Sequence, residues 1–227
     1  MVNRVQINKN EVLRYLGYKN QELDSITNKL IDDSISEITN IIEKKSTYKI
    51  FDIRKSKGKI WIKDTNLSLV GNDIKEHLKH SESIILMAVT LGNEIDRIIR
   101  YYEKMSMTKA MILDACASAA IEEICQRVND ELKTLVSQKG KTLTSRFSPG
   151  YGDLAIDIQN SLLDLLEVKK TIGLTVTSHN ILIPRKSVTA ILGIIDEKDK
   201  KEEEVGCGNC LKNKECNFRK GDVECGN

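Results

Sequence analysis

The chain has 227 residues, 40% of them hydrophobic and 30% charged, with 35 basic and 33 acidic side chains giving a net charge of +2. That composition is too apolar for extended disorder, and so even a charge balance excludes a protein whose partner is chosen by a broad basic field, whether nucleic acid or an anionic membrane. The length suits one principal domain with room for a small appendage.

No apolar run approaches the roughly 20 residues that span a bilayer. The opening Met1-Val2-Asn3-Arg4-Val5-Gln6 lacks the apolar stretch of a signal peptide, so a cytoplasmic protein is expected. In a reducing compartment the six cysteines do not form a disulfide framework. Cys116 and Cys125 lie mid-chain on an apolar helical stretch and are expected to be packing residues, whereas Cys207, Cys210, Cys216 and Cys225 crowd the last segment.

In chain order, Leu23, Ile26, Leu30, Ile31, Ile35, Ile38, Ile41 and Ile42 recur at three- and four-residue spacing and predict a helix over 21–44. Two β-forming runs, 48–53 and 59–62, flank Lys57-Gly58 and predict a hairpin. A short helix is expected over 72–79, with His77 and His80 on a solvated face. The almost unbroken apolar run Ser83–Thr90 predicts a central strand buried on both faces. Helical patterns follow after Asn93 and over 108–138, the second containing the small residues Ala115-Cys116-Ala117-Ser118-Ala119-Ala120, which allow close packing. A loop over 144–153 leads to a helix carrying Ile158, Leu162, Leu165 and Leu166. β-like runs at 174–177 and 181–183 and a last strand over 187–195 complete the pattern, with Arg185 and Lys186 in a solvated turn between the last two. Strands and helices interleave without a βαβ repeat, which predicts an α+β fold: a central, mostly antiparallel sheet with long helices. Residues 1–195 form the expected domain, the purely charged stretch 196–205 a linker and 206–227 a cysteine-rich tail.

The loop carries the chemistry. Ser145-Arg146-Phe147-Ser148-Pro149-Gly150-Tyr151 combines a cation, a rigid Pro-Gly turn and an aromatic ring. Arginine suits a carboxylate, and tyrosine offers a face for a sulfonium or a nucleobase and a hydroxyl for polar contact. From these residue types alone a ligand site and a plain surface turn both remain open.

Arg146-x-x-Pro149-Gly150-Tyr151 resembles the S-adenosylmethionine-binding signature of the activation, or reactivation, domain of cobalamin-dependent methionine synthase, here in a short, freestanding form. Segments 170–177 and 184–193 are similar to that domain in the same order, and 11–18 resembles the start of its short members. Two departures stand out. Gly152-Asp153-Leu154-Ala155 replaces a cysteine-containing segment of the full-length enzymes, and no counterpart is seen of their acidic N-terminal arm or C-terminal tyrosine.

The resemblance implies that Arg146 binds the carboxylate of S-adenosylmethionine, that Pro149, Gly150 and Tyr151 shape the rest of the site, and that the reaction is reductive methylation of cob(II)alamin. Cobalamin would come from a partner, a cobalamin-binding methionine synthase or related corrinoid protein, with an electron donor such as flavodoxin or ferredoxin. The alternative is a non-catalytic regulatory or redox protein of corrinoid metabolism that binds S-adenosylmethionine or a metal. Cys207-x2-Cys210-x5-Cys216-x8-Cys225 offers four thiolates suited to zinc or an iron–sulfur cluster, with a tail of free thiols as the other reading.

Overall fold

A computed structural model of the chain describes residues 5–18 and 21–202. Its helices are α1 (Lys9–Tyr15), α2 (Ser25–Ile41), α3 (Asn72–His77), α4 (Asn93–Met105), α5 (Met107–Ser137), α6 (Ile158–Leu166) and α7 (Val168–Thr171). Its strands are β1 (Lys45–Ser56), β2 (Lys59–Ile62), β3 (Ser68–Leu69), β4 (Ser83–Thr90), β5 (Lys141–Leu143), β6 (Thr175–Val176), β7 (Leu182–Ile183) and β8 (Ser187–Asp196). Six of them make one antiparallel sheet in the order β3-β2-β1-β4-β8-β5, and β6 pairs with β7 as a separate ribbon. The α+β class read from the sequence is the observed one.

β4 lies mid-sheet between β1 and β8, and its side chains divide by the period of two that a strand imposes. Ile85, Met87 and Val89 enter one core with α5, while Ile84, Leu86 and Ala88 enter a second with α6. β8 divides likewise, Ala190 and Leu192 to the first core and Ile191 to the second. Because helices cover both faces, neither strand needs a polar side, which is why 83–90 reads as continuous apolar sequence.

The predicted hairpin forms, but from only part of the expected strand. Lys57 (φ 51°) and Gly58 (φ 69°) make the two-residue turn with both residues left-handed, so Ile53–Ser56 pairs with β2. The preceding residues, Lys45–Asp52, pair with β4 instead, so β1 changes partner midway. α2 begins at Ser25 because the Asp24 side chain accepts the amides of Ile26 and Thr27, at 3.0 and 2.9 Å. Ile26, on the predicted apolar face, is 79% exposed. In α5 the small stretch Ala115, Cys116, Ala117, Ala119 and Ala120 is buried in the first core, the tight packing its composition implies.

Candidate functional site

The loop between β5 and α6 is pinned at its start. Thr144 Oγ1 accepts the Gly193 amide of β8 at 2.8 Å and lies 2.9 Å from His77 Nε2. His77, expected on a solvated face, instead packs against Phe147 with ring centroids 5.0 Å apart, and burial pushes its pKa down to about 4. His77 is drawn inward because α3 is short and turns its last residue toward the loop. Phe147 bridges to Ile191 of β8 through two backbone hydrogen bonds, 3.0 and 2.8 Å, which fixes Arg146 and Ser148 on either side.

The turn follows. Tyr151 N–H donates to the Ser148 carbonyl at 3.0 Å, with Pro149 and Gly150 (φ 87°) in the central positions, where a type II turn wants a fixed φ and then a positive one. Gly152 (φ 51°) and Asp153 lock the turn to α3. Asp153 accepts the amides of Asn72 at 2.5 Å and Asp73 at 3.1 Å, and Asp73 Oδ2 accepts the Asp153 amide at 3.1 Å. Those contacts, that of Asn72 first, hold the Asp153 carboxyl below the ordinary aspartate range. A Cβ at Gly152 would lie 2.1 Å from Asp73 Oδ2, so only glycine fits there. The Gly152-Asp153 departure noted in the sequence is therefore a cross-brace, in which Asp153 caps a helix start whose own N-cap, Gly71, has no side chain to do so.

Beside the turn is an open cleft of about 260 Å³, lined by Glu122 of α5, Arg146, Pro149 and Tyr151 of the loop, Gln159 of α6 and Thr189 of β8, among others. The Arg146 side chain is 8% exposed and donates from Nη2 to Glu122 Oε2 at 2.9 Å. Arg146 also contacts the thiol of Cys125, yet burial dominates there and pushes the Cys125 pKa up to about 12; Cys116 is pushed up to about 12 in the same way. Gln159, 3% exposed, accepts from Thr189 Oγ1 at 3.1 Å through its amide oxygen. Tyr151 is 59% exposed at the rim, and Gly150 sits on the exposed side of the turn.

Residues 24–199 match the family described as vitamin B12 dependent methionine synthase, activation domain. The chain belongs to this family. A crystal structure of the MetH reactivation domain bound to AdoHcy superimposes with a TM-score of 0.60 at 14% identity, covering 77% of this chain and 67% of that one, a likeness of fold. No curated protein matches the chain.

For this activation domain, the structure brings Arg146, Pro149 and Tyr151 together at one cleft wall and adds Glu122, Gln159 and Thr189, which the sequence reading did not single out. Gln159 left a trace: it occupies a core position of α6, in step with buried Leu162, Leu163 and Leu166, where an amide is out of place. Lys186, expected in a solvated turn, is 15% exposed, with its Nζ 2.9 Å from Asp114 Oδ1 and 2.8 Å from Ser118 Oγ on α5; Arg185 is exposed as expected. The thiolate set Cys207, Cys210, Cys216 and Cys225 lies outside the described residues. Among those described, no group of three or more His, Cys, Asp or Glu side chains is placed to hold a metal, and no helix is long and apolar enough to cross a membrane.

Proposed function

We propose that this activation domain binds S-adenosylmethionine in the cleft and presents it to a corrinoid carried by a cobalamin-dependent methionine synthase or a related protein, for reductive methylation of cob(II)alamin. The observation that carries the reading is the placement of the Arg146 guanidinium, almost buried, in a cleft wall next to the rigid Pro149-Gly150 turn.

The residues present fit the ligand. Arg146 offers a fork of N–H donors for a carboxylate. The Gln159 amide, which lines the cleft, supplies donors to a polar edge, and the exposed Tyr151 ring supplies a surface for a sulfonium or an adenine. S-adenosylmethionine supplies the methyl group, and an electron donor such as flavodoxin or ferredoxin supplies the electron that reduces the partner's cobalt. The chain's own contribution is positional: it fixes the ligand by one end and leaves the other facing an open mouth through which a second protein's cofactor can approach. No side-chain nucleophile is called for, in keeping with thiols at Cys116 and Cys125 that burial holds protonated at neutral pH.

The test is calorimetric titration with S-adenosylmethionine. Arg146→Ala should weaken binding by about 1.5–3 kcal/mol, the cost of a lost charged hydrogen bond. Equal affinity in the variant would reject the assignment of Arg146, and absence of binding in the parent would reject the ligand.

A further inference from the structure

We propose that Glu122 recognises the ammonium of the ligand's amino-acid end, and that its ion pair with Arg146 is a stand-in which the arriving carboxylate displaces. The inference rests on the reading of the cleft as an S-adenosylmethionine site and names the part of the ligand that the Glu122–Arg146 pair selects.

An arginine side chain only 8% exposed calls for a counter-charge, and Glu122 supplies one through an Nη2 to Oε2 bond of 2.9 Å. The bond to Glu122 and the contact with the Cys125 thiol use only part of the donor fork, so the rest can take a second oxygen ligand. Glu122 differs from Arg146 in access: its side chain is 38% exposed and lines the cleft, so it can turn toward a ligand while the arginine stays fixed. Its position on α5, the longest helix, holds it steady.

Charge counting then decides what the pair admits. Empty, the pair is neutral. A carboxylate alone adds an uncompensated negative charge beside Glu122, whereas a zwitterionic amino-acid group brings a carboxylate for Arg146 and an ammonium for Glu122 and leaves the charge at the pair balanced, apart from any sulfonium farther along the ligand. The site should therefore require the α-amino group, not only the carboxylate. A nucleoside thioether without the amino-acid arm should not sense the pair.

The experiment uses the full chain and three probes: S-adenosylhomocysteine, its analogue lacking only the α-amino group, and 5′-methylthioadenosine. In the parent protein the deaminated analogue should bind at least ten-fold more weakly than S-adenosylhomocysteine, the scale of a lost charged hydrogen bond. Glu122→Gln should shrink that difference to within about three-fold by weakening S-adenosylhomocysteine, with 5′-methylthioadenosine unchanged. Equal binding of the two amino-acid probes by the parent overturns the proposal whether or not the variant folds. Tighter binding of S-adenosylhomocysteine by Glu122→Gln would also overturn it, since Glu122 would then be only a competitor for Arg146. If the parent bound none of the three, the S-adenosylmethionine reading itself would fall, an outcome distinct from loss of amine selectivity.

Discussion

His77 and Arg146 show two ways in which a polar side chain is kept close to apolar packing. Arg146 is paired with Glu122 at 2.9 Å, whereas His77 gives its charge up. With a folded pKa of about 4 against 6.5 for the free side chain, His77 binds fewer protons in the native state than in the unfolded chain between those two values. Stability must then rise with pH through that window: it is complete above pH 6.5 and lost progressively as pH falls toward 4. The shift corresponds to about 3 kcal/mol. Urea unfolding at pH 7.5 and pH 5 should show the parent losing part of that amount at the lower pH, and His77→Asn should flatten the dependence. A parent whose midpoint did not move would mean that His77 is not held neutral by the fold.

At the scale of elements, the loop and α3 act as one piece, although eighty residues of sequence separate Asp153 from Asp73. Gly152 is the weak point of the brace, because a side chain there must adopt a positive φ and push against Asp73. Gly152→Ala should lower unfolding stability by about 1–2 kcal/mol and should also raise the dissociation constant for S-adenosylmethionine, since the turn it anchors carries Tyr151. A variant as stable as the parent in denaturant titration would show that the brace contributes nothing. The elements most legible in the sequence were those long enough to repeat a pattern, and short β2, α3, β6 and β7 were also read from local residue types. α2, β4 and α5 declared themselves, while α1 with a single buried residue, Val12, and the two- and three-residue strands β3 and β5 could not. Of the cleft, the Arg146-to-Tyr151 wall was legible because its residues are adjacent. Glu122 was not, because its partner lies twenty-four positions away and nothing in a helical charge pattern distinguishes a paired glutamate from a solvated one. His77 and Lys186 misled for the same reason, since their burial depends on elements that only the fold brings over them.

For the whole molecule, the sheet is the partition between two apolar cores and β4 is its shared wall. Leu86, 1% exposed, has the second core on one side and a strand backbone packed by the first core on the other, so the space left by truncation has little freedom to close. Leu86→Ala should cost about 2–5 kcal/mol in chemical unfolding, and the loss should appear in one cooperative transition rather than as separate melting of either side. Two resolved transitions would indicate that the cores fold independently.

The acidic and hydroxyl side chains of α5 carry one more consequence. Asp114 and Ser118 hold Lys186 at the foot of β8, and Glu122 holds Arg146 of the loop, so two segments that reach the helix from different parts of the chain are tied to neighbouring turns of a single rod. From Asp114 to Glu122 the rod advances roughly 12 Å at 1.5 Å per residue. The separation of the two tethers is thus measured out by helix geometry, as on a ruler, rather than by the length of the connections. Insertions in the connecting segments could accumulate without altering it, whereas one residue added to α5 between the two tethers would rotate the carboxylates out of line and move one side of the cleft relative to the other.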